Sequence, residues 1–106
     1  MTIFIPQESL YLIGPTSYLP TNVISSQHLM DWMGVKMRPD WITHRTGIET
    51  RHWVNDDEAV SDLAINVAQK FFQTFHYDKR LIDRLILATI SGDFPSPPTA
   101  PLVQYA

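Results

Sequence analysis

Residues 48–89 read IETRHWVNDDEAVSDLAINVAQKFFQTFHYDKRLIDRLILAT, and this stretch sets the expected fold. Its first seven residues alternate. Ile48, Thr50, His52 and Val54 share one face and Glu49, Arg51 and Trp53 the other, the period of a strand. Asn55-Asp56-Asp57-Glu58 then places acids where a helix start favours negative charge. Val60, Ala64, Val67, Ala68, Phe71 and Phe75 fall at helical spacing, which predicts a helix over roughly residues 58–76. From Ile82 to Thr89 the chain is strongly apolar, with Leu85, Ile86, Leu87 and Ala88 unbroken. That run reads as a strand covered on both faces, as in parallel sheets. Strand, helix and strand make one βαβ unit, expected to cross over right-handed.

On the N-terminal side, Leu10 to Ile13 is a short apolar run closed by Gly14-Pro15, the pattern of a buried strand and a turn. Asn22, Ser25 and Ser26 are candidate caps for a short helix carrying His28, Leu29, Trp32 and Met33, with Gly34 as its stop. Arg38-Pro39-Asp40 starts a second short helix, since proline suits a first turn whose N–H has no partner. Gly47 is placed to end it left-handed. On the C-terminal side, Gly92-Asp93-Phe94-Pro95-Ser96 leads into a last helix with Leu102, Val103, Tyr105 and Ala106. The expected class is α/β: strand, short helices, then the βαβ unit. A parallel sheet of about three strands is thin. With the last apolar pattern uncapped, residues 1–106 read as one segment without an internal boundary, incomplete on its own.

The 106 residues hold 8 basic and 11 acidic side chains, a net charge of −3, which argues against nucleic-acid or anionic-membrane binding through bulk charge. Apolar residues make up 44%, enough for a core. No cysteine is present, so this sequence supplies no disulfide, no thiol nucleophile and no Cys-based zinc site. No run approaches the ~18 apolar residues of a membrane span. Met1 to Pro6 lacks the basic start of a signal peptide, so a cytoplasmic protein is expected.

The richest local chemistry lies in Trp41-Ile42-Thr43-His44-Arg45-Thr46-Gly47-Ile48. On a helix, Trp41 and Arg45 stand one turn apart on one face. An indole and a guanidinium so placed can hold a flat ring by stacking and cation–π attraction, and arginine can grip a phosphate. Thr46 adds a hydroxyl at the helix end. Residues 36–52 carry Lys36, Arg38, Arg45 and Arg51 against Asp40 and Glu49, a local positive excess suited to a small anion with a planar base. The competing reading packs Trp41 on a core and leaves Arg45 solvated. His44 and His52 lack a third ligand at metal spacing, so no metal site is expected. Either can be a general base, although a surface role is the simpler reading. The four glycines, at positions 14, 34, 47 and 92, make no phosphate loop, and no serine sits in a nucleophile elbow. No catalytic residue is therefore assigned within the sequence. Phe94, before a proline-stiffened turn, can project into a pocket or a subunit contact, or be an ordinary loop hydrophobe.

The order of these features resembles the N-terminal third of 3-oxoacyl-[acyl-carrier-protein] synthase III, the ketosynthase III branch of the thiolase-like fold. The resemblance rests on Gly14 with Tyr18-Leu19-Pro20 and Asn22, then Trp41 to Ile48 with Arg51-His52. It continues through Ile82-Asp83, Ala88-Thr89, Phe94-Pro95-Ser96 and Val103-Gln104. It implies a transferase of fatty acid or polyketide biosynthesis. Such an enzyme condenses an acyl-CoA starter with malonyl-carrier protein by decarboxylative Claisen chemistry. The family's cysteine, histidine and asparagine would fall beyond Ala106. By resemblance Trp41 stacks the CoA adenine, while Arg45 and Thr46 meet the nucleotide and pantetheine end. Phe94 and Thr89 belong to the acyl pocket or dimer interface. Acyl-CoA is a substrate here, and no resident cofactor is implied. The implied partners are the acyl-carrier protein and a second copy of the enzyme, or a C-terminal chain bearing the cysteine. A short Ile90-Ser91-Gly92-Asp93 loop, Ile90 in place of a second threonine, Pro15 after Gly14, and Met37 for a hydroxyl residue depart from the family pattern. They leave the starter acyl group open. The alternative is a non-catalytic module that binds CoA or a carrier protein.

Overall fold

The computed structural model describes residues 11–106. The readings of Met1 to Pro6 and of Leu10 lie outside them. Strand β1 (Asn22–Ser25) leads directly into helix α1 (Ser26–Met33), followed by α2 (Pro39–Thr46), β2 (Thr50–Trp53), α3 (Val60–Phe75) and α4 (Ala100–Tyr105). A single 3-10 turn, Lys79–Leu81, lies between α3 and α4.

The short elements form where local signals place them. The Ser25 hydroxyl accepts the backbone N–H of His28, satisfying one of the free donors at the start of α1. Gly34 ends α1 at φ 64° and Gly47 ends α2 at φ 73°, in the left-handed region open to glycine at little cost. β1 and β2 pair antiparallel, with Val23 opposite His52 and Ile24 opposite Arg51. The alternation along β2 holds. Arg51 and Trp53 reach α1 from the same face: Arg51 donates to the Ser26 hydroxyl at 3.0 Å, and the Trp53 ring meets Trp32 edge-on at 5.8 Å. One nitrogen of Arg51, Nη1, is buried without a hydrogen-bond partner among the described residues. Ser26, itself buried, also bonds the carbonyls of Ile48 and Glu49 and so ties the turn after α2 to the start of α1.

Helix α3 carries the expected apolar stripe, and Phe71 packs against Phe72, Phe75 and Tyr77 at centroid distances of 5.7, 5.0 and 6.1 Å. Its first turn is capped differently from expectation. The Asp62 carboxylate takes the N–H of Ala59, and the Ser61 N–H is taken by Asp93 from 32 residues away. Glu58 instead closes the preceding turn on Asn55.

Two expected strands differ. Residues 11–13 run without regular structure and are exposed. Residues 82–89 form no strand, and the βαβ unit is not closed among the described residues. The physical reason is pairing. An apolar run becomes a strand only beside a hydrogen-bonding neighbour, and β2 finds its neighbour in β1 on the other side of α2. The run stays exposed, with Ile86 at 82%. Met30, at 5%, is the most buried apolar residue described. The radius of gyration, 19.5 Å, exceeds the ~13 Å of a compact chain of this length.

Candidate functional site

Helix α2 builds the site. Proline at its first turn, Asp40 beside the positive helix start, and His44 with Arg45 beside the negative end all suit the helix dipole. The Gly47 N–H returns to the Thr43 carbonyl at 2.7 Å, and the Thr43 hydroxyl bonds the Ile48 carbonyl. These bonds fix the last turn, and with it the spacing of the side chains above.

Arg38, Asp40, Trp41, His44 and Arg45 line an open groove of about 510 Å³ along this helix. The Arg45 guanidinium carbon stands 5.7 Å from the centre of the Trp41 ring, the expected face-sharing pair. Trp41 is 48% exposed, so its indole is not spent on a core. A flat ring held between indole and guanidinium needs about 7–8 Å, two ordinary contact distances. Arg45 therefore swings outward to admit one, or the ring stacks on the free indole face. Arg45 is an exposed side chain, and this motion costs little.

Arg38 pairs with Asp40 at 3.0 Å, with both side chains well exposed, a contact of ~0–1 kcal/mol. It offsets the one negative charge in the groove and leaves Arg45 as its uncompensated arginine. The Thr46 hydroxyl turns back on its own helix: it donates to the Ile42 carbonyl at 2.6 Å and accepts the Ile48 N–H at 3.1 Å.

The structure thus puts Trp41 and Arg45 side by side in the groove on α2, leaves Thr46 at the helix end outside its lining, and places Thr89 and Phe94 on the chain between the 3-10 turn and α4. Neither lines the groove. Thr89 accepts the Ser91 N–H, and Phe94 is 56% exposed beside a well-anchored loop. In that loop Asp93 donates its N–H to the buried Thr99 hydroxyl while its carboxylate holds Ser61. Sequence reasoning took Arg38 and Asp40 as a helix start and as charges, and weighed His44 only with His52, as a metal ligand or a general base. Arg38 and His44 each stand three residues from Trp41, and Asp40 stands four before His44, the helical spacings that group them. Among the described residues no three His, Asp or Glu side chains gather as a metal site, and no helix is long and apolar enough to cross a membrane.

The chain is similar to the crystal structure of 3-oxoacyl-(acyl carrier protein) synthase III, FabH, from Pseudomonas aeruginosa PAO1. The identity is 34% over 85% of this chain and the TM-score 0.69. The fold is ketosynthase III-like. The match takes in 26% of that protein, so this chain spans about a quarter of the structure it matches. No protein-family model matches the sequence.

Proposed function

We propose that this chain forms the CoA side of a ketosynthase III-type acyltransferase. The observation that carries the proposal is the Trp41–Arg45 pair on a solvent-open helix face, within a fold similar to a synthase III. Trp41 stacks the adenine, Arg45 covers its other face or grips a phosphate, and Thr46 meets the nucleotide and pantetheine end. A cysteine supplied by further sequence takes the acyl group from CoA, whose thiol leaves. Malonyl-carrier protein then loses carbon dioxide, and the resulting carbanion attacks the acyl carbon and releases the cysteine. A histidine and an asparagine, also outside this sequence, assist that step. Phe94 and Thr89 contribute to the acyl pocket or to the interface of a homodimer in the cytoplasm.

Arg45→Ala in the protein that carries the cysteine is expected to raise KM for acyl-CoA about tenfold, the worth of a charge-assisted contact, with kcat little changed. An unchanged KM overturns the assignment. The absence of cysteine from these 106 residues favours a second reading, a module that binds CoA or a carrier protein without catalysis. Denaturing mass spectrometry after incubation with acyl-CoA separates the two. An acyl mass on a cysteine-bearing polypeptide supports the enzyme, and CoA binding with no adduct supports the module.

A further inference from the structure

The groove holds donors on two residues, His44 and Arg38, that the CoA reading leaves unused. His44 lines it beside Trp41 and Arg45, and among the described residues its ring has no hydrogen-bond partner. It lies three residues after Trp41 and four after Asp40, so it neighbours each of them on α2. Arg45 is engaged with the indole. Arg38 spends one guanidinium nitrogen on Asp40, which also balances the carboxylate that would otherwise repel an anion. The remaining donors of Arg38 stay available.

His44 and Trp41 line the same groove one helical turn apart, roughly 5–6 Å between Cβ atoms, a separation of the order found between a base and a phosphate on its own ribose. A phosphate monoester there carries nearly two negative charges near neutral pH. It gains more from two flanking donors than a singly charged diester does. We propose that His44, with Arg38, forms a phosphomonoester subsite, so that the groove selects a nucleotide whose ribose bears a free phosphate. This rests on the reading of the groove as a CoA site and names the feature of CoA that anchors there.

The test is calorimetric titration of the protein with CoA, dephospho-CoA and adenosine 3′,5′-bisphosphate. CoA is expected to bind about tenfold tighter than dephospho-CoA, the discrimination one charge-assisted pair gives at an exposed site. The bisphosphate, which lacks the pantetheine arm, should keep measurable affinity. His44→Ala should remove most of that ratio by weakening CoA and the bisphosphate while leaving dephospho-CoA unchanged. His44→Gln, which keeps a side-chain N–H donor, should retain part of it. Trp41→Ala should weaken all three ligands. His44 is exposed, so unchanged circular dichroism is expected for its variants. Equal affinity for CoA and dephospho-CoA, or a ratio untouched by His44→Ala, overturns the subsite and leaves the CoA reading standing. No binding of any of the three, or binding indifferent to Trp41→Ala, overturns the CoA reading and the subsite with it.

Discussion

Residues 22–53 and residues 77–99 meet the same requirement, that backbone and apolar groups find partners, in opposite ways. In the first stretch every element is closed by near neighbours: Ser25 caps α1, Gly34 and Gly47 end the helices, and β1 pairs with β2 across a connection of two helices. In the second, the apolar run from Ile82 to Thr89 has no strand beside it among the described residues, and all its side chains but the half-buried Leu87 stay exposed. Short-range partners suffice to build the helix that carries the groove. A strand meant for the middle of a sheet cannot be built that way.

The sharpest way to break this contrast is a pair of truncations. Met30→Ala should destabilise by ~2–3 kcal/mol in urea unfolding, as buried methionines do. Ile86→Ala, at an exposed site, should stay within ~0.5 kcal/mol. Equal losses would mean that the two stretches are equally packed. A smaller effect sharpens the role of local closure. Gly47→Ala, at a positive φ, should cost ~1–2 kcal/mol. It should also weaken CoA binding in the same calorimetric assay, because the last turn of α2 loses its stop.

The smallest effect is electrostatic. Bonds from the Arg80 side chain, and then from its backbone N–H, hold the Asp78 carboxyl below its ordinary range. A depressed folded value means that its contribution is present above the unfolded value and lost as pH falls through the folded one. Asp78→Asn should therefore leave the melting temperature near pH 7 slightly lower. It should also flatten the decline below about pH 4, where free aspartates titrate. Both groups are exposed, so the change is small. An unaltered acid limb would show that the pair adds nothing to the fold.

The three longer helices were legible because their signals are local: a cap at Ser25, proline and glycine bracketing α2, and an apolar stripe on α3. β1 was not. Asn22-Val23-Ile24-Ser25 has no strand-like run, is half polar, and exists through its pairing with β2. The cap on Ser61 was equally hidden, since the carboxylate that accepts its N–H, from Asp93, is brought there only by the folded loop. In the site, the Trp41–Arg45 pair followed from a four-residue spacing. The return of the Thr46 hydroxyl to Ile42 did not, because a threonine near a helix end can point outward or back with the same sequence.

That last bond sets a rule of polarity at the helix end. The only proton on the Thr46 hydroxyl is committed to the Ile42 carbonyl, and one lone pair is committed to Ile48. What remains is a single acceptor. A ligand atom that meets Thr46 must bring its own hydrogen, as an amide N–H or a ribose hydroxyl does. An ionised phosphate oxygen is turned away from that spot and toward the arginine one residue before it.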